Sequence, residues 1–174
     1  MNCEHLWIAL TAIASWALVG ITYYLVRKQI KIARQDLKVR LQTTFEEKFE
    51  SQLMITERKK LANQLLLQAK HQEIQEPIMN FFESVGMYLK RGYFDKEMAW
   101  VGFGYYAIRW WAVCKDYIFE ERHRNNNDRT IFEEFEYLVD QVYQVEIKER
   151  KLSRAELEPS KDDLNSFLIA ERDL

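Results

Sequence analysis

Histidine and cysteine are the first residues to test for chemistry, and this chain of 174 residues has three His and two Cys. His5, His71 and His123 each lack a second His, a Cys or a carboxylate at the spacing that a zinc site requires. Cys114 and His123 could be nucleophile and base, but no orienting partner accompanies them. The sequence therefore predicts no catalytic residue, no metal site and no cofactor.

Two short segments resemble a phosphate-binding loop and a ribonuclease motif, but each lacks residues that the motif requires. Gly102 and Gly104 form a G-x-G within a helical pattern, without the third Gly, the Lys and the preceding strand of a phosphate-binding loop. We therefore expect them to permit close helix packing. Arg124 and Asn125 begin the pattern of a small helical ribonuclease, but no His follows them in the chain.

The densest feature is the aromatic segment between Trp100 and Tyr117, which holds three Trp, three Tyr and one Phe. Aromatic residues at helical spacing usually form core, yet adjacent residues point about 100° apart on a helix. Some of these rings must therefore face away from the core. Trp, Tyr and Arg dominate interface energetics, so we expect a partner or ligand surface at Trp100, Tyr105, Tyr106, Arg109, Trp110, Trp111 and Lys115.

The charge balance limits what that surface binds. The chain carries 25 Lys and Arg against 27 Asp and Glu, a formal net charge of -2. Positions 41–174 carry a net charge of -6, which makes extended nucleic acid an unlikely partner, although the aromatics could stack on bases. We expect a homo-oligomer or a protein partner, and a small nucleotide held by Arg109, Lys115 or Arg122 stays open.

The elements that carry these residues begin with an uncharged run from Leu6 to Val26. As a helix it would measure about 31 Å, which matches a bilayer core. A cleaved signal peptide and a buried core helix are the alternatives. A cluster of cations follows the run: Arg27, Lys28, Lys31, Arg34, Lys38 and Arg40. These charges predict a bacterial inner-membrane protein with its N-terminus outside, its C-terminal domain in the cytoplasm and the lipid bilayer as a partner.

Between Gly20 and Pro77 the chain has neither Gly nor Pro, which favours a long helical stem. Its apolar residues recur every four positions, so the stripe moves around the helix axis and does not suit a two-stranded coiled coil. We expect a break near 51–56. The stripe consists of Leu37, Leu41, Phe45, Phe49, Leu53, Leu61, Leu65 and Ala69.

Three helices then follow. Pro77 fits the first turn of a helix to Lys90 that ends at Gly92. Asp95 fits the N-cap of the aromatic helix, and residues 122–128 are expected to form a loop. Thr130 and Glu133 predict a capping box that opens the third helix. Beyond Lys151 we expect a largely mobile tail, with one short helix at 160–169 that begins at a capping pair, Ser160 and Asp163.

These elements predict an all-α protein with one transmembrane helix, a long stem and a small helical bundle. The predicted segments are an external N-terminus (1–5), a transmembrane helix (6–26), a basic juxtamembrane stem (27–56), a cytosolic helical domain (57–151) and a polar tail (152–174).

The stretch from Glu76 to Ile118, with the "NFFE" and "RGY-D-E" sequences and a later "FEEFE", resembles a bacterial family known as domain of unknown function 4760. The resemblance covers Glu57 to Val145. It is most specific at Asn80, Phe81, Phe82, Glu83, Gly92, Asp95, Trp100, Tyr106, Trp111 and Tyr117. It implies a helical fold and membrane attachment but no catalytic residue.

The preferred hypothesis is a membrane-anchored, non-enzymatic module for interaction or oligomerisation. The alternative is a membrane-acting anti-phage effector whose cytosolic domain senses a small nucleotide or a phage signal, an idea that rests on analogy.

Overall fold

The computed structural model describes residues 3–68 and 74–174, leaving out the side chains of 3–6, 8–12 and 14. The described residues form helices and no strand, which confirms the all-α prediction. Ala69 and His71 lie outside the described residues. The helices are α1 (Cys3–Phe49), α2 (Gln52–Leu66), α3 (Pro77–Lys90), α4 (Lys96–Arg124), α5 (Glu133–Arg150), α6 (Arg154–Leu157) and α7 (Lys161–Arg172).

The predicted transmembrane helix is contradicted. Among the residues whose structure is described, no helix combines the length and the apolar character needed to cross a membrane. The side chains of residues 6, 8–12 and 14, within the predicted span, are among those that the structure does not describe. The same finding contradicts three predictions that depend on this helix: the inner-membrane location, the membrane anchor and the membrane-acting alternative.

The chain divides after Arg40 into two units, the second of which is the compact unit 41–174. The first unit is α1 up to Arg40, the exposed part of α1, where nearly all of the described side chains are exposed. Within the compact unit, α1 ends at Phe49 and Ser51 caps α2, its hydroxyl oxygen accepting a hydrogen bond from the amide of Met54 at 3.3 Å. The helix break expected near 51–56 is confirmed.

The core of the compact unit is an aromatic cluster between α1, α3, α4 and α5. Phe49 packs against Phe81 and Tyr106 at ring-centroid distances of 5.1 and 4.8 Å, and Phe82 stacks on Phe135 at 5.1 Å. Such pairs add about 0.5–1.5 kcal/mol each beyond area burial. Phe81 and Phe82, the two phenylalanines of the "NFFE" sequence, therefore both lie in the core.

Small residues set the helix spacing around this core. A Cβ atom at Gly86 on α3 would collide with the backbone carbonyl of Glu134 on α5. A Cβ atom at Gly104 would lie 3.1 Å from Val142 of α5, which agrees with a packing role. Gly92 ends α3 with a φ of 76°, as expected for the residue after a helix.

The predicted capping box at Thr130 and Glu133 is wrong. The Thr130 hydroxyl donates to Asp128 at 2.7 Å, and α5 begins after Phe132, which has a left-handed backbone and no side-chain cap. Glu83 of α3 supplies the cap from outside, since its carboxylate accepts a hydrogen bond from the amide of Phe135 at 2.7 Å. A capping group that comes from another helix cannot be predicted from a local sequence motif.

The C-terminal region is more ordered than the sequence suggests. The Ser160–Asp163 capping box is present, but α7 runs on to Arg172 and buries Phe167, Leu168 and Glu171. The predicted mobile tail is therefore wrong for α7. Likewise, α4 extends to Arg124, so the first residues of the predicted 122–128 loop are helical.

Candidate functional site

Two residues of the predicted surface, Tyr106 and Trp110, lie on the side of α4 that packs against the core. Trp110 is 0% exposed, and its ring meets Phe167 of α7 edge-on at 5.1 Å. Tyr106 is half-buried between Phe49 and the guanidinium of Arg58, which lies 5.1 Å from its ring centroid. These two residues belong to the core and not to a free surface.

The remaining predicted residues lie partly or fully at the surface. Trp100 and Trp111 are half-buried, and Trp111 meets Phe135 edge-on at 5.2 Å. Tyr105 is 55% exposed and stacks under Arg109, whose guanidinium lies 3.6 Å from the ring centroid. Lys115 is exposed. Tyr105 and Arg109 line one pocket and Trp111 and Lys115 line another, while Trp100 lines neither of the two.

The first pocket has a volume of about 250 Å³. Arg109 and Tyr105 form one wall, and the buried Glu146, which is ion-paired with Arg150, lies opposite on α5. Glu146 and Arg150 neutralise each other, whereas Arg109 donates to the carbonyl of Tyr105 at 3.2 Å and has no ion pair with any described residue. Its lining is Tyr105, Ile108, Arg109, Glu146, Arg150 and Leu157.

The second pocket is larger, about 480 Å³, within the size range of small-molecule sites. It lies where α4 and α5 meet the 151–160 connection and the start of α7. Trp111 and Lys115 are the predicted residues that line it. The complete lining is Trp111, Ala112, Lys115, Asp116, Tyr143, Arg154, Glu158, Pro159, Lys161 and Leu164.

Of the three cations that line the second pocket, one forms an ion pair and two do not, among the described residues. Arg154 pairs with Asp140 at 2.7 Å and lies over the Tyr143 ring at 4.5 Å. Lys115 and Lys161 form no ion pair with any residue that the structure describes. Burial, followed by the negative charge of Glu158, raises the pKa of the Tyr143 hydroxyl, so Tyr143 stays a neutral hydrogen-bonding group. The pocket therefore offers two ammonium groups beside aromatic rings.

The sequence predicts two of the ten residues that line this pocket and misses the other eight, six of which lie outside α4. Tyr143, Arg154, Glu158 and Lys161 lie on α5 or in a region that reads as a polar tail. The capping pair at Ser160 was the only available signal that the chain folds back there. Only the tertiary fold brings these residues to α4.

The candidate nucleophile pair is not assembled. Cys114 is fully buried, and burial raises the pKa of its thiol to about 12. His123 is exposed and contacts Asn127 at 3.2 Å through Nδ1. No group of three metal-ligating side chains occurs among the described residues. Cys114 is an inert core residue in this fold.

The cations of positions 27–40 lie on α1, outside the compact unit. Arg27 stacks over Tyr23 at 4.7 Å, and Arg40 pairs with Asp36 at 2.8 Å. Lys28, Lys31 and Arg34 are exposed. None of these residues lines either of the two pockets on α4.

The helical architecture and the aromatic α4 define the class of this protein as an all-α domain protein with a long N-terminal helix. The chain belongs to the family described as domain of unknown function (DUF4760), whose model matches residues 6–142. No curated protein and no solved structure matches it. The family carries no activity over to this chain, so function has to be argued from the site.

Proposed function

We propose that the compact unit 41–174 is a binding module, without catalytic activity, whose second pocket takes a small molecule with a planar ring and a negatively charged group. The observation that carries this proposal is the pair of unengaged ammonium groups, on Lys115 and Lys161, beside the rings of Trp111 and Tyr143 in a pocket of about 480 Å³.

The charge pattern supports a ligand of low net charge. Three cations and two carboxylates, Asp116 and Glu158, line the pocket. A polyanion would be repelled by the carboxylates, whereas a molecule that combines one anionic group with hydrogen-bond donors suits both kinds of side chain. A nucleoside monophosphate has this combination, with a stacking ring in addition.

Burial raises the pKa of four groups; one of them, Tyr143, lies in the second pocket as a neutral hydrogen-bonding group, and the other three have structural roles that support binding without catalysis. Burial, followed by a hydrogen bond to Glu76 at 2.8 Å, raises the pKa of Tyr117. This contact joins α4 to the start of α3. Glu83 caps α5, and Cys114 fills the core. These side chains hold helices together, and none of the three lines the second pocket.

Calorimetric titration of the full chain with adenosine and guanosine monophosphates tests the ligand class. We expect saturable binding that weakens at least tenfold in the Lys115→Ala/Lys161→Ala double variant, because the anionic group loses both partners. Lys148→Ala is the matched control, since Lys148 is exposed on α5 outside the pocket. Trp111→Phe should reduce affinity through weaker stacking.

Two results would contradict the proposal. One is the absence of heat with either nucleotide and with aromatic carboxylates such as salicylate. The other is binding that the lysine double variant and the Lys148→Ala control weaken equally, because nonspecific charge attraction would then explain it.

A further inference from the structure

The exposed part of α1 carries apolar and aromatic residues at alternating steps of three and four. All of them are exposed, from 76% at Trp16 to 45% at Leu37. This spacing averages 3.5 residues, which keeps a seam straight along a pair of supercoiled helices. The seam consists of Trp16, Val19, Tyr23, Val26, Ile30, Ala33 and Leu37.

The seam changes character at Leu37. From there the apolar residues recur every four positions, and Phe45 and Phe49 are buried inside the compact unit. The residues of the second pattern pack within the chain. The side chains of the first pattern are exposed along the described part of α1. An exposed apolar seam of this length marks an interaction surface.

The residues beside the seam favour one helix orientation. In heptad terms Arg27 and Arg34 occupy e positions, while Thr22 and Gln29 occupy g positions. A parallel, in-register pair places Arg27 beside Thr22 and Arg34 beside Gln29 of the other helix. An antiparallel pair brings e positions together and so opposes arginine to arginine. The parallel arrangement avoids this repulsion.

We propose that α1 pairs in parallel and in register with α1 of a second copy of this chain through the seam. The partner is a second copy because the seam and its e and g neighbours are compatible with themselves. A second row on α1, Leu18, Leu25, Ile32 and Val39, has seven-residue spacing and is also exposed, between 50% and 65%. It can recruit further copies, so the assembly contains at least two chains.

Sedimentation equilibrium of the full chain tests the assembly. We expect a mass of at least twice the 21.0 kDa of one chain. Ile30→Asp places a carboxylate in the seam and should weaken association at least a hundredfold. Gln35→Asp adds the same charge at the outward f position and is the matched control. Circular dichroism of both variants shows whether the helical fold persists.

Cross-linking tests the orientation. In a Cys3→Ser background, a cysteine introduced by Ala33→Cys should form a disulfide-linked dimer on mild oxidation, because equivalent seam positions are adjacent in a parallel pair. Gln35→Cys should not, and the buried Cys114 stays unreactive. A Gln35→Cys chain that cross-links as readily as Ala33→Cys contradicts the seam.

Other outcomes overturn the proposal outright. They are a monomeric full chain, an Ile30→Asp chain that keeps the wild-type mass, or a chain that co-sediments with phosphatidylcholine vesicles as a monomer. The vesicle result would identify lipid, and not a second copy, as what covers the seam. Nucleotide binding to the second pocket is measured separately, so neither proposal depends on the other.

Discussion

Arg58 and Glu171 form a buried ion pair between α2 and α7, with side-chain exposures of 2% and 5%. The carboxylate accepts hydrogen bonds from Nε and Nη2 at 2.6 and 2.8 Å. Burial alone would lower the pKa of Arg58, but the hydrogen bond and charge of Glu171 outweigh it and raise the pKa. The pair holds the C-terminal helix in place.

Glu171→Ala should lower the free energy of unfolding by about 3–5 kcal/mol, because the buried Arg58 loses both hydrogen-bond acceptors and keeps only the more distant Glu50, 3.6 Å from Nη1, as a counter-charge. Arg58→Met combined with Glu171→Leu should recover much of that loss. Urea denaturation measures both changes. Asp140→Ala, which breaks the exposed pair with Arg154, is the control and should cost less than about 1 kcal/mol. Equal losses in the buried and exposed variants would contradict this account.

Glu83 predicts a pH dependence. Burial raises the pKa of its carboxyl above the usual value, and the hydrogen bonds from the amides of Phe135 and Glu134 only partly oppose this. The folded state therefore binds the proton more tightly than the unfolded state. Its stabilising contribution is present at low pH and is lost as pH rises from the unfolded to the folded pKa.

Glu83→Gln should remove that contribution, so the stability of the variant relative to wild type should increase with pH across this acidic window. Glu83→Ala loses the cap of α5 and should cost about 1–2 kcal/mol at neutral pH. Thermal melts between pH 4 and 7 measure both. A Glu83→Gln chain whose stability relative to wild type falls with pH would show that the carboxylate form is the preferred one.

At the residue scale, the sequence names two residues that line the second pocket, Trp111 and Lys115, but does not separate exposed side chains of α4 from buried ones such as Trp110. Composition alone places aromatic residues and Lys115 on α4. Trp110 and Trp111 are adjacent and chemically identical, yet one is fully buried and the other lines a pocket, because α7 covers only one side of α4. Burial by a distant segment has no local signature.

At the scale of helices, α3 and α5 approach so closely that one position tolerates only glycine. Gly86→Ala should push the two helices apart, because the added Cβ would meet the carbonyl of Glu134 in rigid helix backbone. We expect a loss of about 3 kcal/mol or more, beyond the range of ordinary overpacking. Ser84→Ala on the same helix is the control, since the Ser84 hydroxyl bonds only its own helix at Asn80. Chemical denaturation that finds the two variants equally stable would disprove this close approach.

Local chemistry explains which helix boundaries are predictable. Pro77, Gly92 and Ser160 act within their own turns, and the structure confirms each. Thr130 fails because the cap of α5 comes from Glu83 on another helix. The prediction of a largely mobile tail fails for the same reason, since α7 is held by a pair between Glu171 and Arg58, which lies 113 positions away.

At the scale of the whole molecule, charge and burial divide the chain at the same place. Positions 27–40 carry a net charge of +5 and positions 41–174 a net charge of -6, and the compact unit begins at Leu41. The sequence therefore indicates two regions with different surroundings. Composition alone does not identify those surroundings; the spacing of the exposed apolar residues and the charges beside them carry that information.

This division predicts that the compact unit folds without the first forty residues. A chain of 41–174 keeps Phe45 and Phe49, which pack against α3 and α4, and every residue of the second pocket. Its thermal midpoint should lie within about 3 °C of the full chain at low concentration, where the expected association of α1 contributes little.

A second truncation that begins at Glu50 removes both phenylalanines and is the matched comparison. It should lose at least about 6 kcal/mol, the cost of deleting two core aromatic residues. Calorimetry that finds 41–174 unfolded would show that the exposed part of α1 stabilises the core, and the two-unit description would then be incorrect.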